Sequence, residues 1–158
     1  GVWLAEQGLQ VTATEISPIG LLKARRLAAA RKVQVDFILA DILRWKWPRE
    51  AFDVVAAIFI QFLSPAERRM IFARMRSALK PGGLLLLHGY TPKQLEYRTG
   101  GPSARENLYT ADMLAREFGT LEIIGLHSYE ENIEEGSGHR GHSALIDLVA
   151  RRAVRDQR

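Results

Sequence analysis

Apolar and polar residues change their spacing along the chain in a regular order. Leu4 and Ala5 lie on a short helical stretch that Gly8 can close, because glycine readily takes the left-handed conformation past a helix end. Leu9 to Thr14 alternates and is rich in β-branched residues, the pattern of a strand. Ser17 then offers an N-cap with Pro18 at the first helical position, and Leu22, Leu27 and Ala30 are expected to form the buried stripe of that helix. Val33 to Ala40 reads as a second strand ending at Asp41, and the polar and aromatic connection LRWKWPREA follows. From Phe52 to Ile60 the chain is apolar except at Asp53, which suits a strand covered on both faces. Ser64-Pro65 opens a helix with Ile71, Met75, Ala78 and Leu79 on one face. Lys80-Pro81-Gly82-Gly83 stops it, and LLLLHGY reads as another buried strand. Residues 92–109 form the one long polar loop, and Thr110 caps a helix running to about Phe118. Leu121 to Tyr129 and Ala144 to Ala150 are closing strands around the polar stretch EENIEEGSGHRGH.

Strands and helices alternate until those last two strands. Alternation predicts right-handed crossovers and a parallel sheet, and the short final connection predicts an antiparallel hairpin at its end. The fold class is therefore α/β, with residues 1–158 expected to form a single domain. The order over residues 1–18 is helix, strand, acid, helix start, which is the second half of a nucleotide-binding unit. The glycine-rich turn that opens such a unit has no counterpart here, so the domain is expected to be incomplete at its N-terminus by about 40 residues, judged by typical element lengths.

Composition narrows the function classes. The chain has no cysteine, which excludes disulfides, thiolate metal sites and cysteine nucleophiles within it. It has no apolar run near the ~20 residues that span a bilayer, and no basic-then-apolar signal order, so a cytoplasmic setting and no membrane partner are expected. The formal net charge is +4, but the arginines of KARRLAAARK and ERRMIFARMR are interleaved with apolar residues at helical spacing. They are expected on outer helix faces, and the charge does not by itself imply nucleic-acid binding.

In an open α/β sheet the ligand sits beyond the carboxyl ends of the strands. Glu15 stands there after the first visible strand, where an acid can accept hydrogen bonds from both hydroxyls of a ribose. It is equally readable as a carboxylate beside a helix N-terminus. Asp41 ends the next strand, either to accept from an adenine amino group or to cap a short turn.

The stretches VTATEIS, FILADI, FDVVAAIFIQFL and LKPGGLLLLHGYTP resemble the class I S-adenosylmethionine-dependent methyltransferases. TGGP at 99–102 and EGSGHRGHSAL at 135–145 sharpen the likeness to small bacterial enzymes related to the tellurite-resistance methyltransferases. That resemblance implies a Rossmann-like sheet whose seventh strand runs antiparallel between the fifth and sixth. It implies S-adenosyl-L-methionine as cofactor and a small-molecule methyl acceptor as partner. It assigns Glu15 to the ribose with Ile16 packing on the adenosine, Asp41 and Ile42 to adenine, and Ile58 and Phe59 to the cofactor cleft. Two positions depart from the subgroup's pattern: Gln61 stands where histidine is common, and His88 where glutamate is common. Both bear on the acceptor more than on the fold.

Methyl transfer from a sulfonium is an in-line displacement driven by the cofactor, so a general base is needed only for a protonated nucleophile. Histidine suits that task near neutral pH, which makes His139 and His88 the candidate catalytic residues. His139 also reads as a solvated loop residue and His88 as a hydrogen-bonded core residue. Gln61, Tyr90, Arg98 and Tyr109, around the long loop, are the candidate substrate contacts. GSGHRGH offers two histidines without a third ligand, so no metal is expected. A G-x-S-x-G elbow is absent, which removes the serine hydrolase reading. Two alternatives to small-molecule methylation stay open: a non-catalytic or fragmentary domain that self-associates through unpaired strand edges, and an RNA-modifying methyltransferase.

Overall fold

The computed structural model describes residues 1–134 and 140–154. The chain forms two compact units, Gly1–Lys46 and Trp47–Arg158.

The first unit contains α1 (Val2–Glu6), β1 (Thr12–Glu15), α2 (Pro18–Ala30) and β2 (Asp36–Leu39). β1 and β2 pair in parallel, from Thr12 opposite Asp36 to Glu15 opposite Leu39. α2 begins as its sequence dictates: Ser17 Oγ accepts the Gly20 N–H at 3.1 Å and Pro18 occupies the first turn. The buried stripe differs from the expectation. Leu21 and Ala28 are buried, while Leu22 and Leu27 are 54% and 50% exposed and Ala30 is exposed. Adjacent leucines offer two stripes, and the packing of α2 on β1 and β2 selects the one through Leu21 and Ala28.

The second unit contains β3 (Phe52–Ile58), α3 (Pro65–Ala78), β4 (Leu79–Tyr90), α4 (Gln94–Tyr97), a 3-10 turn at Arg105–Asn107, α5 (Ala111–Glu117), β5 (Glu122–Glu134) and β6 (Arg140–Arg151). Its sheet has the order β3-β4-β6-β5. β3 and β4 are parallel, and β6 lies between β4 and β5, antiparallel to both, as expected. Opposed residues share a face. One face carries Val55, Leu85, Leu87, Ile146, Leu148 and Ala150, all buried, with α3 on β3 and β4 and α5 on β5. Ile71, Phe72 and Met75 of α3 and Leu114 of α5 are buried too, and Phe72 lies 4.7 Å from the Phe118 ring. The opposite face carries Ile58, Leu86, His88, Tyr90, Leu145 and Asp147. Each of β1 and β3 is paired along one edge only among the described strands.

Three further expectations change. Residues 80–83 do not merely stop α3: they form an irregular start to β4, where Phe52 pairs with Leu79 and Val54 with Leu84. Pro81 cannot donate to the ladder, and Gly82 adopts φ +80, so the extra length is absorbed as a bulge. The stretch after Tyr129 is not a wide loop; β5 continues to Glu134 and pairs there with Arg140. Ile133 packs against the cluster of Tyr90, Leu108 and Leu145, which extends the ribbon. Finally, not all arginines face outward. Arg68 is buried and donates to Glu106 O at 2.6 Å, and Arg76 donates to Glu117 O with its guanidinium 5.8 Å from the Phe118 ring centre. These two satisfy main-chain carbonyls of neighbouring segments.

Candidate active site

In the first unit the chemistry sits at the carboxyl ends of β1 and β2. Glu15 Oε1 accepts the Ser17 N–H at 2.8 Å, which fixes the carboxylate against the start of α2. A Cβ at position 20 would come within 3.0–3.2 Å of that side chain, so Gly20 makes the room it occupies. Oε2 has no hydrogen-bond partner among the described residues. Ile16, next in sequence, is 66% exposed. Asp41 opens a turn: Arg44 N–H and Trp45 N–H donate to its carbonyl, and its Oδ1 caps Leu43 N–H at 2.8 Å. Oδ2 stands 3.9 Å from Arg44 Nε, beyond hydrogen-bond reach. Ile42 is half-buried beside it.

In the second unit an open pocket of about 500 Å³ lies beyond the carboxyl ends of β3 and β4. Phe59, Gln61, Phe62 and Tyr90 form one side, and residues 100–104 with Asn107 form the other. Phe59 adopts φ +53, a costly conformation for a bulky residue and one found where the surroundings dictate it. Its ring stacks on Tyr90 at 4.7 Å and meets His88 edge-on at 4.6 Å. Gln61 is buried, and its amide is fully engaged. Oε1 accepts from Tyr90 N–H at 2.6 Å, while Nε2 donates to Tyr90 O at 2.9 Å and Asn107 O at 3.1 Å. It extends the ladder past the end of β3 and ties the 3-10 turn to β4. Gly101, at φ +83, lies so close to Tyr90 that a Cβ would come within 2.8 Å of the ring.

The glycine wall is held from outside by a clasp. Gln94 Nε2 donates to Thr99 Oγ1 and Gly100 O, its Oε1 accepts from Ala144 N–H, and Thr99 Oγ1 donates to His142 O at 2.6 Å. Around it, Glu130 accepts from Lys93 and Tyr97, with His142 Nε2 at 3.2 Å. The hydrogen bond from Lys93, then those from Tyr97 and His142, hold the Glu130 carboxyl down to about 2. Glu130 in turn raises both Lys93 and Tyr97 above their ordinary values.

The structure thus brings Phe59, Gln61 and Tyr90 together at one pocket. Ile58 lies next to them on β3, 54% exposed. It does not bring Arg98 or Tyr109 there. Arg98 is exposed at the end of α4, and Tyr109 is wholly buried beneath Arg68 and against Phe72, where burial pushes its phenol up. His88 sits behind Phe59, its Nδ1 2.5 Å from Asp147 Oδ1. His139 lies outside the described residues. Phe62, Asn107 and Asp147 were not singled out from the sequence. TGGP was the one signal for the pocket wall; nothing local pairs His88 with a carboxylate on β6. Among the described residues no group of three or more His, Asp or Glu side chains is placed to hold a metal ion, and no helix is long and apolar enough to cross a membrane.

Comparisons with known proteins give these sites a context. The chain is 34% identical over 85 residues to demethylmenaquinone methyltransferase of Thermus thermophilus, covering 54% of this chain and 38% of that protein. It is 35% identical over 83 residues to carboxy-S-adenosyl-L-methionine synthase of Yersinia pestis, covering 51% of this chain and 31% of that protein. The chain thus spans about a third of the length of the curated relatives it matches. The crystal structure of TehB from Haemophilus influenzae superposes with a TM-score of 0.76 at 14% identity, over 96% of this chain and 53% of that one, which establishes the Rossmann-like methyltransferase fold. A family model described as "Methyltransferase domain" matches residues 1–83, and the chain belongs to that family.

Proposed function

We propose that the chain carries S-adenosylmethionine-dependent methyl transfer to a small-molecule acceptor. The observation that carries this reading is the pair of carboxylates, Glu15 and Asp41, at the ends of two adjacent parallel strands in a member of the methyltransferase-domain family. The donor set fits an adenosine. Glu15 Oε2 is unspent and Gly20 leaves space beside it, so the carboxylate would accept from the two ribose hydroxyls. Asp41 would accept from the adenine amino group, with Ile16 and Ile42 packing on the base and Ile58 and Phe59 as further cofactor contacts. Bound, the cofactor supplies a methyl group on a sulfonium, an electrophile that the protein need not activate. The protein's task is alignment and exclusion of water. Phe59, Phe62 and Tyr90 give the acceptor an apolar surface, and the clasped wall at 100–104 bounds it. Asp147 holds His88 behind the strand end, where its ring meets Phe59 edge-on.

Calorimetric titration of the protein with S-adenosylhomocysteine tests the reading. Micromolar binding is expected, weakened about tenfold or more by Glu15→Ala, because a hydrogen bond to a charged group contributes about 1.5–3 kcal/mol. Absence of binding by the full-length protein rejects it. Membership of the methyltransferase-domain family supports a cytoplasmic setting. A second reading, self-association, is favoured by the unpaired edges of β1 and β3. Light scattering on the same sample decides it, and a monomer removes it.

A further inference from the structure

The lining of the pocket in the second unit restricts what it can hold, and this inference rests on the methyltransferase reading above. Among the described residues, none that lines it is charged. Arg98, Arg105 and Glu106, the charged residues nearest in sequence to its wall, are exposed and do not line it, while Lys93 and Glu130 are paired with each other and with Tyr97 and His142 at the clasp. An anionic acceptor would find no cationic partner on this lining among the described residues. Gln61 cannot offer its amide instead, since it is engaged by the main chain of Tyr90 and Asn107. Two neutral polar side chains remain on the lining, Ser103 and Asn107, neither with a side-chain partner among the described residues.

The shape is also restrictive. On one side Phe59 and Tyr90 are stacked with their planes 28° apart, and Phe62 is 67% exposed beside them. On the other, Gly100, Gly101 and Pro102 present a wall without long side chains, with Gly101 pressed to Tyr90. Such surfaces favour a flat ring offered face-on to aromatic neighbours. No histidine, carboxylate or lysine lines the pocket among the described residues, and His88 meets the Phe59 ring edge-on. An acceptor that attacks without first losing a proton suits this lining.

We propose that the pocket receives an uncharged, flat nitrogen heterocycle whose pyridine-type ring nitrogen is the methyl acceptor. The nitrogen lone pair forms the new N–CH3 bond as the S–CH3 bond breaks and its electron pair returns to sulfur. The positive charge passes from sulfonium to ring, and no proton moves. The cation so formed lies beside the rings of Phe59, Phe62 and Tyr90, whose faces attract it. The neutral ground state needs no counter-ion, and the charge that develops is met by π faces already in place.

The test measures binding to the whole chain by NMR, at neutral pH, with three probes of one shape: quinoline, N-methylquinolinium and 2-naphthoate. Quinoline and N-methylquinolinium are expected to shift the amides of Phe59, Tyr90 and Gly101, and 2-naphthoate to bind about tenfold or more weakly. Phe62→Leu, at an exposed position that tolerates change, keeps apolar bulk but removes a π face. It should weaken N-methylquinolinium about threefold or more and quinoline less. Ser103→Lys should reverse the preference toward 2-naphthoate. Equal binding of 2-naphthoate to the unaltered protein, or shifts that miss the pocket, overturn the proposal. The titration with S-adenosylhomocysteine separates the two levels. If that ligand binds and the heterocycle does not, the acceptor class is wrong and the methyltransferase reading stands. If the heterocycle binds and that ligand does not, the methyltransferase reading falls and the acceptor assignment with it.

Discussion

The two units divide recognition and stability unequally. In the first, only Leu21 and Ala28 are buried apolar residues, while Trp3, Ile16, Ile19 and Leu22 are all more than half exposed. In the second, two helices close one face of a four-stranded sheet and a clasped loop covers part of the other. Yet the first unit carries the better-defined polar geometry: two carboxylates, each with one oxygen fixed by a main-chain N–H two residues on. Such groups need only a strand end and a turn to be positioned. The pocket of the second unit is built from residues 59 to 107 and needs a packed core to bring them together. Local geometry suffices for a carboxylate; a cavity requires tertiary structure.

The comparison breaks first at the core. Phe72→Ala should cost about 3–5 kcal/mol in urea unfolding, as large aromatic deletions do, while Leu22→Ala, at an exposed site, should change stability by less than about 0.5 kcal/mol. Similar losses at the two sites would show that α2 is covered to the same degree as α3. Helix caps sharpen the contrast at smaller scale. Ser17→Ala and Ser64→Ala each remove a cap of about 1 kcal/mol. Ser64 also anchors a reciprocal box with Glu67, so its loss should lower the global unfolding midpoint. Loss of the Ser17 cap should appear only as faster amide exchange along α2.

The smallest expected effect is acid sensitivity confined to the second unit. The carboxyl of Glu130 lies at about 2 in the folded chain against an ordinary value of 4.5. A depressed carboxyl stabilises the fold fully above its unfolded value, and that contribution is lost as pH falls from about 4.5 through about 2. The amides of Thr99 to Gly101 should follow this titration, those of Ser17 and Gly20 should not, and Glu130→Gln should abolish the step. Amides of the wall that ignore pH in this window would show that the clasp does not hold it.

Legibility in the sequence followed the range of the interaction. Ser17, Ser64 and Thr110 cap their helices as read, because capping is decided within three residues. Glu15 and Asp41 fall at strand ends for the same reason. The buried stripe of α2 was misplaced because Leu21 and Leu22 are alike until the sheet chooses between them. Arg68 and Arg76 looked solvent-facing because their acceptors, Glu106 O and Glu117 O, lie about 40 residues away in sequence. A separation of 59 residues likewise hid Asp147 from His88.

The sequence by itself determined the order of the strands and of the helices outside residues 92–109, the caps of the longer helices, the acids at two strand ends and the antiparallel closing pair, but not α4 or the 3-10 turn. Periodicity and local hydrogen bonding act over a few residues, and the chain states them directly. Tertiary structure alone decided that Gln61 spends its amide on Tyr90 and Asn107, that Phe59 is forced to positive φ between Tyr90 and His88, and that no charged residue lines the pocket among the described residues. Each depends on which distant segments meet, and packing of the whole second unit settles that.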